Sequence, residues 1–237
     1  MRAHTTALLT VALLALVVSA SARASFGLNG FDVAFTNADG SPATQAGSHP
    51  FAMTTSFHLN TKSDPEFGVI PDGEIKDLTV EQMAGLVGAP SAVPRCSTTD
   101  FLTTSASGLK NTSCPDSTAV GIVSVVILDA KRQGVLHPVY NLVPPPGVAV
   151  KLGFVVLASP VTIEIGVKHE YPYNVSAVLV NIPQTVEFFG STLTLWGEPA
   201  DPAHDPYRGN CLAEGTELKS EGDCHTNVPD IDRKSVV

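Results

Sequence analysis

The sequence lacks the local motifs that mark the common enzyme classes. It has no G-x-S-x-G turn, which would present a hydrolase serine, and neither of the phosphate-cradling loops G-x-G-x-x-G and G-x-x-x-x-G-K-[ST]. An active site assembled from residues far apart in sequence would leave no such motif, so the missing motifs do not by themselves exclude an enzyme. We expect a protein that is not an enzyme, with no catalytic residue and no cofactor.

Metal-binding spacings are absent as well. No two cysteines have C-x₂₋₄-C spacing, and no two histidines have H-x-x-x-H or H-x-x-E-H spacing. The stretch after Ala200 holds two carboxylates, Asp201 and Asp205, but not the alternating acidic ladder of a calcium loop. We predict no metal site and keep Asp201 and Asp205 as weak candidates for a structural calcium ion.

Positive charge is scarce. The chain has 14 Lys and Arg against 23 Asp and Glu, a formal net charge of −9. Attraction to a phosphate backbone or to anionic lipid needs a positive field, so we expect no nucleic acid partner.

Only one long apolar run is present, from Ala7 to Val18. It follows Arg2 and precedes Ala22-Arg23-Ala24, which are the basic start and A-x-A site of a signal peptide, whereas a spanning helix needs about 20 apolar residues. We predict that the signal peptide, residues 1–24, is removed by cleavage after Ala24. The mature protein is then expected to be secreted or at the cell surface and to have no contact with the membrane. An uncut N-terminal anchor is the alternative.

Cysteine is also rare, with four in the chain. An even number in an exported protein predicts disulfides, although four cysteines allow three pairings. We favour Cys96 with Cys114 and Cys211 with Cys224, because each pair closes a short segment between β regions.

Glycine and proline, in contrast, are abundant at 19 and 18 residues, and they separate short runs rich in Val, Ile, Thr and Phe. This pattern predicts an all-β protein: one antiparallel β-sandwich of about eight to ten strands over residues 25–231, jelly-roll or immunoglobulin-like. The single helical signal is Ser97, a potential N-cap for a turn that includes Asp100. The candidate strands are residues 30–36, 51–59, 75–81, 120–128, 148–157, 161–167, 174–180 and 192–196.

Two kinds of side chain suggest ligand chemistry. Tyr171, Tyr173 and Trp196, with Phe188 and Phe189 between them, could form a platform that stacks sugar rings. Adjacent residues of a strand point to opposite faces, however, and the single tryptophan fits a core position as readily. A glycoside hydrolase would instead need two facing carboxylates. The acids nearest the candidate strands are Glu164, Glu170, Glu187 and Glu198, and Glu164 falls on the polar side of an alternating strand, where a solvated charge is the simpler interpretation.

Six short sequence stretches are distinctive when they are taken together: residues 45–51 (QAGSHPF), 76–80 (KDLTV), 94–96 (PRC), 114–115 (CP), 138–142 (PVYNL) and 196–205 (WGEPADPAHD). With these stretches, the chain resembles an uncharacterised N-terminal β-rich region of large secreted multidomain actinobacterial proteins. The resemblance extends over most of the chain from Gly30 to Cys224, and it implies surface exposure, further domains after this one and no known activity.

The last six residues, 232–237 (DRKSVV), match the in-frame translation of a sequencing adapter, so we expect the natural protein to continue past Ile231.

From all of these observations, we expect a non-catalytic extracellular or cell-surface module, structural or adhesive, at the N-terminus of a larger secreted protein. Its expected partners are cell-wall or extracellular glycans or other surface proteins. The alternatives are a carbohydrate-binding module and an extracellular glycoside hydrolase-like enzyme.

Overall fold

The structure is a computed structural model that describes residues 26–104, 112–129 and 134–208, together with the short strands Leu212–Ala213 and Glu217–Leu218. The predicted signal peptide 1–24, the pairing of Cys211 with Cys224 and the tail 232–237 lie outside the described residues.

The described residues form thirteen strands, numbered here in chain order. They are β1 (Leu28–Thr36), β2 (Ala52–Leu59), β3 (Thr61–Asp64), β4 (Gly68–Pro71), β5 (Leu78–Glu81), β6 (Ala119–Ile127), β7 (Val135–Leu142), β8 (Val150–Val156), β9 (Ser159–Val167), β10 (Val175–Leu179), β11 (Phe188–Trp196), β12 (Leu212–Ala213) and β13 (Glu217–Leu218).

Nine of these strands build one sheet in the order β1-β2-β11-β6-β7-β8-β9-β10-β5. All neighbours in it are antiparallel. The sheet curls into a half-barrel, and the predicted all-β, sandwich-like fold is confirmed. β3 and β4 form a separate hairpin, as do β12 and β13.

All eight predicted strands are present, with bounds shifted by a few residues. In the connections after β1 and β4, Gly40 and Gly73 adopt positive φ values of 81° and 156° that side-chain-bearing residues rarely adopt.

The sequence pattern missed β7, which lies between β6 and β8. Pro138 interrupts this strand, and proline is usually confined to strand positions that need no backbone donor. The register explains its presence: β7 pairs with β8 only at Tyr140, Asn141 and Leu142, so Pro138 lies where β7 has β6 as its only sheet neighbour among the described residues.

The single predicted helical turn is confirmed as α1 (Thr98–Leu102). Its N-cap, Ser97, accepts a hydrogen bond at Oγ from the backbone N of Asp100 (3.0 Å) and donates from Oγ to that residue's carboxylate (2.7 Å). The predicted Cys96–Cys114 disulfide is also present and encloses this helix, with a Cα–Cα separation of 5.4 Å.

The disulfide loop packs on the outer face of the sheet. Phe101 of α1 lies so close to β8 that a Cβ on Gly153 would approach its ring to 2.7 Å, which is why this position needs glycine. Eight buried residues make up this cluster, the outer cluster: Cys96, Phe101, Cys114, Ala119, Tyr140, Leu142, Val155 and Trp196.

A stack of rings extends the outer cluster to the end of β11. His204 lies between Phe51 (4.7 Å between centroids) and Trp196 (4.3 Å), and the guanidinium of Arg208 lies 5.0 Å from the Trp196 ring. Arg208 is fully buried; it donates to the carbonyls of Pro199 and Ala119 and pairs with Asp205 at 3.1 Å. A buried cation with these partners anchors the segment after β11 to the start of β6.

Candidate ligand cavity

The inner face of the half-barrel encloses a cavity of about 540 Å³. This volume lies within the range of about 300–1,000 Å³ typical of small-molecule sites. The walls come from β2 and from β5 to β11; representative lining residues are Phe57, Val123, Leu152, Ile163, Ala177 and Leu193.

Strand alternation makes these walls apolar. On β9, Ile163 and Ile165 line the cavity, whereas the alternate residues Thr162 and Glu164 point to the outer face. Directly paired residues share a face, so Leu152 on β8 continues the apolar surface from Ile163. The clean alternation that predicted a half-buried β9 thus supplies one wall of the cavity.

One end of the cavity is closed by a second apolar cluster. Phe57 and Leu59 at the end of β2 pack with Ile75, and Leu78 at the start of β5 packs against them. Because β2 and β5 lie far apart in the strand order, this contact brings the two sides of the half-barrel together at this end.

The opposite end is crossed by residues 82–95, the capping loop, in which Leu86, Val87 and Pro90 line the cavity. Asn141, which is buried, holds one side of this loop through hydrogen bonds from Nδ2 to the carbonyls of Pro90 (3.0 Å) and Val93 (3.1 Å).

The other side of the capping loop is attached to β10. The backbone N of Gln82 donates to the carbonyl of Val175 (2.8 Å), and Nδ2 of the buried Asn174 donates to the carbonyl of Gln82 (2.9 Å). Lys168 pairs with Glu81 at 2.6 Å beside this junction. The loop is therefore fixed at both of its ends.

Among the described residues that line the cavity, none has a charged side chain. The lining residues with a polar group in the side chain are Thr55, Gln82, Asn141, Tyr173, Ser191 and Trp196, the last of which also belongs to the outer cluster. The Asn141 donor is engaged by the capping loop, as described above. Burying an unpaired charge is strongly unfavourable, so these walls suit an uncharged ligand and provide no carboxylate for acid–base chemistry.

Near the cavity, the inner face also carries His137. It pairs directly with Val123, a lining residue, and its Nε2 is buried without a hydrogen-bond partner. Burial lowers the pKa of His137 to about 4, so the imidazole is neutral at physiological pH.

No family model matches the chain. Searches of curated proteins and of solved structures also find no significant match. The geometry of the cavity is therefore the main basis for a functional interpretation.

The three aromatic residues predicted to form a platform do not share one exposed surface. Tyr171 and Tyr173 are exposed and pack edge to face, with centroids 6.4 Å apart and ring planes at 88°. Trp196 is only 2% exposed, because it is stacked against His204 in the outer cluster.

The two weak calcium candidates have structural partners. Asp201 caps the 3₁₀ segment Pro202–Tyr207, accepting at Oδ1 from the backbone N of Ala203 (2.8 Å), while Asp205 pairs with Arg208. Among the described residues, no group of three or more His, Cys, Asp or Glu side chains is arranged to hold a metal ion.

The carboxylates considered for a hydrolase lie away from the cavity. Glu164 pairs with Lys151 at 3.1 Å on the outer face, the solvated strand charge that was the simpler interpretation. The side chains of Glu170, Glu187 and Glu198 are exposed, and none of the three lines the cavity. Within the described part of the chain, no helix is long and apolar enough to span a membrane.

Sequence reasoning missed the cavity itself. The alternation of apolar residues in β8, β9 and β11 is as typical of a filled core as of a cavity wall. Spacing shows which side chains share a face, but not the distance between opposite walls. The same limit applies to Arg208 and His204, whose stack depends on the return of the chain after β11.

Proposed function

We propose that this chain is a non-catalytic extracellular binding module that holds an uncharged, apolar small molecule, such as the hydrocarbon part of a lipid, in the cavity of its half-barrel. The observation that carries the proposal is a cavity of about 540 Å³ with apolar walls and no charged lining residue. Curled antiparallel sheets are well suited to such sites, since inward residues can be apolar along every strand.

The lining chemistry selects among lipids. A free fatty acid would bring a carboxylate, and a buried carboxylate needs a cation or several donors. The cavity lining has neither Lys nor Arg. A long-chain alcohol or a neutral ester should therefore bind better than the corresponding fatty acid at a pH where the acid is ionised.

The extracellular part of the proposal is supported by the Cys96–Cys114 disulfide, because disulfides persist mainly in oxidising compartments. The structural or adhesive role expected from the sequence is compatible with ligand binding, and glycans or other surface proteins stay predicted partners. Carbohydrate binding has a narrower basis, since the edge-to-face arrangement of Tyr171 and Tyr173 presents no shared flat surface for a sugar.

The test uses the full chain exported to an oxidising compartment and the uncharged fluorophore N-phenyl-1-naphthylamine. We expect saturable binding with one site per chain, and displacement by a long-chain alcohol at least tenfold better than by the fatty acid of equal length at pH 8.

The key variant is Ala177→Phe, which places a large ring in the cavity from β10. Its matched control is Ser176→Phe, which adds the same ring one residue earlier, on the outer face. Binding should be lost in Ala177→Phe and retained in Ser176→Phe. Equal binding by both variants, or no saturable binding by the unmodified chain, would refute the proposal.

A further inference from the structure

The cavity opens beside the capping loop, and exposed apolar and aromatic side chains surround this mouth. They are Val87, Val167, Tyr171 and Tyr173, here named the mouth patch. Their exposed fractions range from 54% for Val167 to 88% for Tyr171. Val87, Val167 and Tyr173 also line the cavity, and Tyr171 packs edge to face on Tyr173. The patch is therefore continuous with the ligand site rather than a scatter of isolated apolar residues.

The elements around the mouth hold the patch in place. Val167 at the end of β9 pairs with Val175 at the start of β10, and the turn between these strands is closed by a bond from Tyr173 N to the carbonyl of Glu170 (2.8 Å). Val87 lies in the capping loop, whose two ends are fixed as described above. A fixed apolar rim can rest on a surface without first having to be ordered.

We infer that the mouth patch docks on the surface of a membrane of zwitterionic phospholipid, which has no net charge. The apolar ligand would enter the cavity directly from this membrane. Tyrosine favours the boundary between hydrocarbon and water, since its ring is apolar and its hydroxyl stays solvated. The continuity of rim and cavity would let a ligand pass from lipid to protein without full exposure to water. This inference rests on the proposed function, and it departs from the expectation of no membrane contact after signal cleavage.

The charges at the mouth favour zwitterionic over anionic lipid. The turn between β9 and β10 has one lysine, Lys168, and it is already paired with Glu81 at 2.6 Å. Glu170 lies in the same turn, and the chain as a whole has a net charge of −9. Anionic headgroups would be repelled by this field, whereas phosphatidylcholine would not.

The test is flotation of the full chain with vesicles of phosphatidylcholine, alone or with added phosphatidylglycerol. We expect the chain to float with phosphatidylcholine and to float less with the anionic mixture. Tyr171→Ser, which alters a residue outside the cavity lining, should weaken partitioning about fivefold and leave naphthylamine affinity within twofold of the unmodified chain. The control is Phe67→Ser, because Phe67 is 69% exposed in the turn between β3 and β4 and does not line the cavity; it should not change partitioning.

Three results would overturn the inference: no flotation of the unmodified chain, equal flotation of Tyr171→Ser and Phe67→Ser, or stronger flotation with the anionic vesicles. A concentration-dependent dimer that Tyr171→Ser converts to monomer would also overturn it, by showing that a second copy covers the patch. Naphthylamine binding without flotation defeats this inference alone, whereas absence of naphthylamine binding defeats the proposed function.

Discussion

The outer and inner faces of the half-barrel are built from the same strands but are packed differently. On the outer face, a disulfide, α1 and a stack of rings fill the space above β7, β8 and β11, and Cys114, Ala119 and Arg208 have no exposed surface. On the inner face, apolar side chains from opposite strands enclose a cavity of about 540 Å³. Protein interiors are normally close-packed, and the ligand that we propose would fill the space that the inner side chains leave.

The difference also separates stability from binding. On the outer face, the disulfide, α1 and the ring stack tie distant parts of the chain together, whereas on the inner face nine buried residues, among them Val123, Leu152 and Ile163, pack together beside the cavity. Substitutions in the outer cluster should therefore reduce the free energy of unfolding, and substitutions of partly buried residues that line the cavity, such as Ala177, should change ligand binding more than stability.

The largest effect is expected at Arg208. Arg208→Ala removes the contact with the Trp196 ring and leaves the carbonyls of Pro199 and Ala119 without their buried donor. We expect the free energy of unfolding to fall by about 3 kcal/mol or more, measured by chemical denaturation. Arg95→Ala, at an exposed position, is the matched control and should change it by less than about 0.5 kcal/mol. Similar values for the two variants would show that the buried arginine is not an anchor.

The next effect concerns the disulfide. Replacing both Cys96 and Cys114 by Ala opens a loop with a sequence separation of 18 residues and frees α1 from its attachment at Cys114. The free energy of unfolding should fall by about 3 kcal/mol, because the unfolded chain gains conformational freedom. Naphthylamine affinity, measured at a temperature where the variant stays folded, should change by less than twofold. A parallel loss of affinity would mean that the two faces are coupled.

Acid should weaken the fold through two histidines. Burial, assisted by the charge of Arg208 and opposed by Asp201, lowers the pKa of His204 to about 4, and burial alone does the same for His137. In the unfolded chain both pKa values return to about 6.5, so the unfolded state binds more protons between pH 6.5 and 4. Stability is therefore full above about pH 6.5 and falls as the pH is lowered, by about 2 kcal/mol per histidine between pH 7.5 and 5.

The variant that isolates one histidine is His204→Phe. It retains a ring between Phe51 and Trp196 and loses no hydrogen bond at Nε2, which has no partner. Between pH 7.5 and 5, the free energy of unfolding of this variant, measured by denaturation, should fall by about half as much as that of the unmodified chain. His49→Asn, at an exposed position, should keep the full decrease in the free energy of unfolding. An unchanged decrease in His204→Phe would contradict the assignment.

These comparisons show which parts of the molecule a sequence can predict. Val161 to Ile165 alternates apolar and polar residues, so β9 and the identity of its buried side were predictable. Ser97 and Asp100 carry a complete local capping signal, which is why α1 was found within a β protein. Features that depend on neighbours only a few residues away in the sequence could therefore be predicted from it.

The missed features depend on distant contacts. β7 contains Pro138 and is stabilised as a strand by its pairing with β6, which propensity cannot reveal. The closeness of Trp196 to Tyr171 and Tyr173 in sequence does not distinguish a shared platform from a core position; in the fold Trp196 is buried and stacks on His204 from the 3₁₀ segment that follows. The size of the cavity depends on the curvature of nine strands and has no counterpart in local spacing.

The smallest effect gives the sharpest comparison of the two faces, since one kind of substitution should have different outcomes on them. Ala119→Leu enlarges a side chain with no exposed surface beside the carbonyl that accepts from Arg208. It should lower the free energy of unfolding by about 1–3 kcal/mol, because overpacking forces neighbours to move. Ala177→Leu adds the same atoms to the cavity wall, where there is room, and should change stability by less than about 0.5 kcal/mol or raise it slightly. The same variant should weaken naphthylamine binding, because it takes up ligand volume. If Ala177→Leu destabilised the fold as much as Ala119→Leu, the inner face would be a filled core and the cavity would have no ligand role.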